Sequence, residues 1–127
     1  MKAMIVDDSR AMRSLLRKIL QENGFEVVAE AENGRDALEH LNRLQFIDLT
    51  LLDWNMPIMN GYELLCEVRK HARWKDMRVM LVTTETEASQ ILRALDAGAD
   101  EYLIKPFLKE ALREKLNVMG LLDGVDS

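Results

Sequence analysis

Two hydrophobic periods alternate five times along this chain. Short apolar-rich runs at Met4–Val6, Phe25–Ala31, Leu49–Leu52, Val79–Val82 and Tyr102–Ile104 read as strands. Each is followed by apolar residues at helical spacing. The first stripe is Met12, Leu15, Leu16, Ile19 and Leu20, and the second is Ala37, Leu38 and Leu41. Leu64, Leu65 and Val68 form the third, Ile91, Leu92 and Leu95 the fourth, and Leu108, Leu112, Leu116 and Met119 the fifth. Continuous apolar runs suit strands covered on both faces, while the wider spacing gives helices one buried side. Strict alternation then requires parallel strands joined by right-handed crossovers, with helices on both faces of one sheet. The chain is predicted to form a single α/β three-layer sandwich.

Local signals punctuate the pattern. Ser9 is placed to cap the first helix with its hydroxyl, and Asn23-Gly24 to end it. Asn33-Gly34 reads as a turn, Asn60-Gly61 opens the third helix after a loop containing Pro57, and Gly98 closes the fourth.

Size and charge narrow the function classes. A chain of 127 residues fits one domain, taken as residues 1–122 with a short frayed tail at 123–127. The formal net charge of −5 argues against general nucleic-acid affinity, which needs a basic face to neutralise phosphates. Cys66 stands alone, so no intrachain disulfide is possible; it reads as a buried or half-buried helix residue. No apolar run approaches the roughly 18–20 residues of a membrane span, and the N-terminus reads as a strand rather than a signal peptide. The expectation is a soluble cytoplasmic protein without membrane insertion.

Chemically demanding residues stand at the strand ends. Asp7-Asp8 follow strand one, Asp53 strand three, Thr83 strand four and Lys105-Pro106 strand five, whereas strand two ends without comparable groups. In open parallel sheets ligands bind beyond the carboxyl ends of strands, where the strand order reverses. If strands one and three are neighbours there, three carboxylates share one crevice with Thr83 and Lys105 beside it. Two carboxylates about 4 Å apart repel by about 4 kcal/mol at an effective dielectric near 20, so the cluster calls for a cation. All-oxygen ligands without His or Cys suit Mg²⁺, with Mn²⁺ as a substitute. A carboxylate nucleophile beside such a cation and an ammonium can accept a phosphoryl group. Taken singly, each signal has a plain alternative: a strand-end Asp is usually a turn or cap residue, and Thr83-Thr84 could cap the next helix.

The segments "VDDS", "DWNMPIMNGYELL", "VTTE" and "AGADEYLIKPF", at their spacing, resemble the receiver domain of two-component response regulators, and within it the single-domain chemotaxis members. The likeness runs from about Lys2 to Met119. It implies a flavodoxin-like doubly wound five-stranded sheet in the order 2-1-3-4-5. It also implies that Asp53 is the phospho-acceptor, that Asp8, Asp53 and the Asn55 backbone carbonyl bind Mg²⁺, and that Asp7 acts through a metal-bound water. Lys105 would pair with Asp53 at rest and with the phosphoryl group after transfer, across a cis bond to Pro106. Thr83 would donate to the phosphoryl group, and Tyr102 would respond by rotating, although a half-buried edge-strand aromatic is an equal reading. Asn55 and Glu85 would flank the hydrolytic water and set a short phosphoryl lifetime. The resemblance further implies a sensor histidine kinase as donor and a protein target on the surface of helix four, strand five and helix five. That target would be the flagellar switch or another protein, with a phosphatase as a further partner and a monomer or weak dimer as the working form.

Departures from the chemotaxis pattern are few. Glu87-Ala88 replace a lysine pair at the start of helix four, while Lys115 matches a lysine of the fifth helix. Thr84 replaces a smaller residue, and one extra residue falls in the Leu44–Asp48 loop. No output domain follows Ser127, which argues against direct DNA binding, although a receiver cut from a larger regulator or a phosphorelay intermediate stays open. An aspartyl-phosphate phosphatase of the haloacid-dehalogenase type would need Asp-x-Asp after strand one, where this chain has Asp7-Asp8-Ser9. The expectation is a phospho-acceptor that assists its own phosphorylation and dephosphorylation rather than an enzyme.

Overall fold

The computed structural model describes residues 1–44 and 46–122. The tail expected at 123–127 and the centre of the loop expected to hold the extra residue lie outside the described residues. The elements run β1 (Lys2–Val6), α1 (Arg10–Glu22), β2 (Glu26–Ala31), α2 (Gly34–Leu44), β3 (Leu49–Leu52), α3 (Gly61–Arg69), β4 (Arg78–Thr83), α4 (Ala88–Asp96), β5 (Glu101–Ile104) and α5 (Lys109–Val118). One short 3₁₀ turn, Ala72–Trp74, follows α3.

All strands are parallel, in the order β2-β1-β3-β4-β5. Successive strand residues therefore enter different cores. Ala3, Ile5, Leu49, Leu51, Met80 and Val82 pack with α1 and α5. Met4, Val6, Leu52, Val79 and Leu81 pack with α2, α3 and α4 on the other face. The central strands β1, β3 and β4 are buried on both faces almost throughout, which is why their runs lack polar alternation, whereas edge strand β2 carries Glu26 and Glu30.

Helix entries follow local chemistry. Ser9 Oγ accepts the Met12 amide at 3.2 Å. Asn60 and Glu63 form a reciprocal capping box on α3, each side chain accepting the other's backbone amide. Gly24 ends α1 with φ +87°, a left-handed position natural to glycine. The segment read as a turn at Asn33-Gly34 is instead the start of α2, where Asn33 Oδ1 accepts the Asp36 amide at 2.9 Å. Three apolar stripe members also fall outside the core, among them Leu15 of α1, 43% exposed. Leu92 is 63% exposed, because α4 turns Ala94 inward, and Leu108 is 74% exposed ahead of the first turn of α5.

Arg69 of α3 clamps the end of the molecule opposite the strand-end residues. It donates to the carbonyls of Gly98 and Trp74, each at 3.0 Å, and pairs with Asp100 at 3.1 Å. Among the described residues no helix is long and apolar enough to cross a membrane.

Candidate functional site

Parallel register brings the strand ends to one edge. Val6 lies opposite Leu52 and Leu52 opposite Leu81, so the residues after β1, β3 and β4 emerge side by side. Backbone bonds continue past the strands: Asp7 N–H donates to the Ala31 carbonyl, Asp53 N–H to Val6, and Lys105 N–H to Thr83. The order change between β1 and β3 opens the crevice, as expected for a doubly wound sheet.

Asp7 and Asp53 are buried and Asp8 is exposed, with carboxylate oxygens of the three within 4.8 Å of one another. Lys105 Nζ donates to Asp7 Oδ2 at 2.7 Å and to Asp53 Oδ2 at 3.1 Å, so the ammonium sits closer to Asp7 than to the expected acceptor. Asp53 Oδ1 accepts the Trp54 amide at 2.7 Å, and Asp7 Oδ1 accepts the Ser9 amide at 2.8 Å. The Lys105–Pro106 bond is cis.

Charge balance sets the ionisation. Burial pushes the Asp53 carboxyl up; Lys105 pulls it down, Asp7 pushes it further up, and the net displacement is upward. Burial opposes the Lys105 charge, but the hydrogen bond to Asp7 and the charges of Asp53 and Asp7 outweigh it, so its pKa is raised. Three carboxylates against one ammonium leave the pocket short of positive charge. Hard oxygen donors at this spacing, with one carboxylate open to solvent, fit a hydrated divalent cation.

Thr83 is buried at the end of β4, and its Oγ accepts the Glu85 amide at 3.2 Å, leaving its hydroxyl hydrogen to be donated. Glu85 is half-buried and turns back to accept the Glu87 amide, while Asn55 is exposed two residues beyond Asp53. Tyr102 is half-buried on β5, packed on the α2–α4 side of the core with Lys115 Nζ 4.7 Å from its ring centre. Lys115 also pairs with Glu101 at 2.9 Å. Tyr102 thus stands at the sheet edge rather than in the pocket.

Three supports were not visible in the sequence pattern. Trp54, beside Asp53, stacks on Tyr62 of α3 at 5.4 Å. Gly61 abuts the Asp53 backbone. Arg13 reaches back from α1 to the Asp7 carbonyl at 2.7 Å. Only the tight run from Asp53 to Gly61 hinted at any of these.

An acidic, lysine-bridged pocket at the switch point of a 2-1-3-4-5 sheet defines a class, and the chain belongs to it: residues 3–117 match the response regulator receiver domain family. These are signalling proteins rather than conventional enzymes. The chain is homologous to the chemotaxis regulators called CheY. It is 40% identical over 119 residues to chemotaxis protein CheY1 of Helicobacter pylori, covering 94% of this chain and 96% of that protein. It is 42% identical to chemotaxis protein CheY of Pseudomonas aeruginosa, covering 91% and 93% respectively. The solved structure of Vibrio cholerae CheY4 superposes with TM-score 0.83 at 35% identity, covering 92% of this chain and 96% of that one. CheY from Borrelia burgdorferi, in a complex described as CheX-CheY-BeF3 with magnesium, gives TM-score 0.84 at 27% identity, covering 93% and 88%.

Proposed function

We propose that this chain is a cytoplasmic phospho-receiver that takes a phosphoryl group from a sensor kinase phosphohistidine onto Asp53. The observation that carries this reading is the single Lys105 ammonium bridging buried Asp7 and Asp53, with Asp8 within reach at the crevice mouth. A carboxylate oxygen of Asp53 attacks phosphorus, the P–N bond breaks, and the departing imidazole keeps the bond's electron pair. Asp8, Asp53 and the Asn55 carbonyl would hold Mg²⁺, with Asp7 acting through a water; the cation neutralises phosphoryl charge when bound. Lys105 exchanges its bond to Asp53 for one to a phosphoryl oxygen, and Thr83 donates its hydroxyl to another.

The output follows from what these bonds displace. Thr83 moving inward leaves room for the Tyr102 ring, biasing the surface of α4, β5 and α5. The packing of α4 supports this, since Ala94 is its one fully buried residue and Leu92 faces solvent. A helix seated in the core by Ala94 and the half-buried Leu95 lies toward the low end of local stability. The signal passes to a protein target on that surface in motility control, the flagellar switch or another protein, and a phosphatase is a further partner. Asn55 and Glu85 set rapid self-dephosphorylation; a phosphoryl half-life of hours in Mg²⁺ buffer would count against that role.

The test is Trp54 fluorescence during titration with beryllofluoride and Mg²⁺. Trp54 donates its amide to Asp53 and should report occupancy, whereas Trp74 lies beyond α3, in the turn before β4. The wild type should respond and Asp53→Asn should not. An equal response in both would sink the assignment, and turnover of a phosphomonoester would favour a phosphatase.

A further inference from the structure

The second strand ends without an acidic, hydroxyl or ammonium group of its own at the crevice, yet it reaches the site through α1. Glu30 of β2 accepts an ion pair from Arg13 Nε at 3.5 Å, and Arg13 Nη1 donates to the Asp7 carbonyl at 2.7 Å. The Arg13 side chain is 14% exposed and that of Glu30 25%, so neither is a loose surface group. Asp7 N–H meanwhile donates to the Ala31 carbonyl at 3.0 Å, one residue beyond Glu30. Both main-chain polar groups of Asp7 are therefore pinned to β2, one directly and one through Arg13.

The bond to the carbonyl matters because of what that peptide unit carries. It joins Asp7 to Asp8, and the plane of a peptide unit is rigid. Holding its oxygen restricts ψ of Asp7 and φ of Asp8, the two dihedrals through which the peptide unit aims the side chains on either side of it. Arg13 contacts neither carboxylate by hydrogen bond; Asp7 Oδ1 and Oδ2 are taken by the Ser9 amide and Lys105. A fork with separate donors lets one side chain hold Glu30 and the carbonyl at once, which a lysine cannot do with equal geometry.

We propose that Arg13, held by Glu30, is a positioning residue for the cation site, acting through the Asp7–Asp8 peptide unit. This rests on the phospho-receiver reading only in that a divalent cation is the group being positioned for. Arg17 caps the far side of Glu30 through its own ion pair and reaches no residue of the pocket.

The experiment is Mg²⁺ binding alone, by Trp54 fluorescence and calorimetry, with urea midpoints in EDTA for every variant. Arg13→Gln should weaken Mg²⁺ about tenfold, as loss of an outer support of a metal site typically does. Glu30→Gln should weaken it several-fold, and Glu30→Gln added to Arg13→Gln should make nothing worse. Arg17→Gln should stay within about twofold of wild type, a contrast that a general loss of ion pairing on α1 would not produce. Unchanged affinity in Arg13→Gln overturns the proposal. So does tighter binding, which would make the guanidinium merely a competing positive charge. Should Arg13→Gln fail to fold, Glu30→Gln decides alone: weaker Mg²⁺ at an unchanged urea midpoint supports the proposal, and unchanged affinity overturns it. A wild type that responds to neither Mg²⁺ nor beryllofluoride would instead remove the phospho-receiver reading.

Discussion

A β-carbon on Gly61 would stand 2.0 Å from the carbonyl oxygen of Asp53, so the start of α3 and the end of β3 meet backbone to backbone. The Gly61 amide also donates to the Trp54 carbonyl at 2.8 Å, closing the loop that leaves the pocket. Glycine is needed for this close approach, not for a left-handed φ.

Gly61→Ala should accordingly cost stability and disturb the site together. The obstruction is backbone, so no side chain can yield to relieve it. A loss of about 3 kcal/mol, the upper part of the range for overpacking, is expected. That corresponds to a fall of roughly 10 °C in Tm, with weakened Mg²⁺ binding in whatever remains folded. A wild-type urea midpoint would contradict this.

The pH dependence of stability should carry the mark of Asp53. Its folded pKa lies above the ordinary 3.8, mainly through burial. Between those two values the native state binds more protons than the unfolded chain, so stability falls as pH rises through the window. Asp53→Asn removes that loss, and Lys105 keeps Asp7 as its partner. In EDTA at neutral pH the variant should melt a few degrees higher than wild type. The advantage should vanish as pH drops toward 3.8, the start of the window. A variant less stable than wild type at pH 7 would show that burial does not dominate.

Asp8 should separate metal binding from folding. Its side chain is exposed, so Asp8→Asn in EDTA should change stability by less than about 0.5 kcal/mol. Mg²⁺ at a hundredfold over Kd should stabilise the wild type by about 2.7 kcal/mol and the variant far less. Thermal melts with and without Mg²⁺ measure both quantities, and equal increments would exclude Asp8 as a ligand.

Ile58 occupies the left-handed region at φ +69° with 72% of its surface exposed. A β-branched residue there is strained by about 1–2 kcal/mol and gains little packing in return. Ile58→Asn should therefore stabilise by about 1 kcal/mol, seen as a higher urea midpoint at unchanged m. A lower midpoint would mean the side chain contributes more to the loop than its exposure suggests.

Much of this was legible from residue order. The alternating periods announce five parallel strands because a doubly covered strand must be apolar throughout, and Asp7, Asp8, Asp53, Thr83 and Lys105 stand at their ends. The helix faces were read less well. Leu15, Leu92 and Leu108 fit a spacing but face solvent, since periodicity identifies a stripe without saying how deeply the helix is seated. Asn33 looked like a turn because the same side-chain acceptor that makes a turn also caps a helix, and only the direction of the following chain separates them.

By itself, then, the sequence determined the layer architecture and the chemical inventory of the pocket, because hydrophobic period and residue type are local properties. The tertiary structure decided how that inventory is held: Lys105 shared between Asp7 and Asp53, Gly61 pressed on the Asp53 carbonyl, and Arg13 tying the Asp7–Asp8 peptide to Glu30. The Lys105 bridges span much of the chain and the Arg13–Glu30 pair joins α1 to β2, while the closer Gly61–Asp53 and Arg13–Asp7 contacts still depend on how α3 and α1 are seated. No local pattern encodes such distances; packing of α1 and α3 against opposite faces of the sheet sets them.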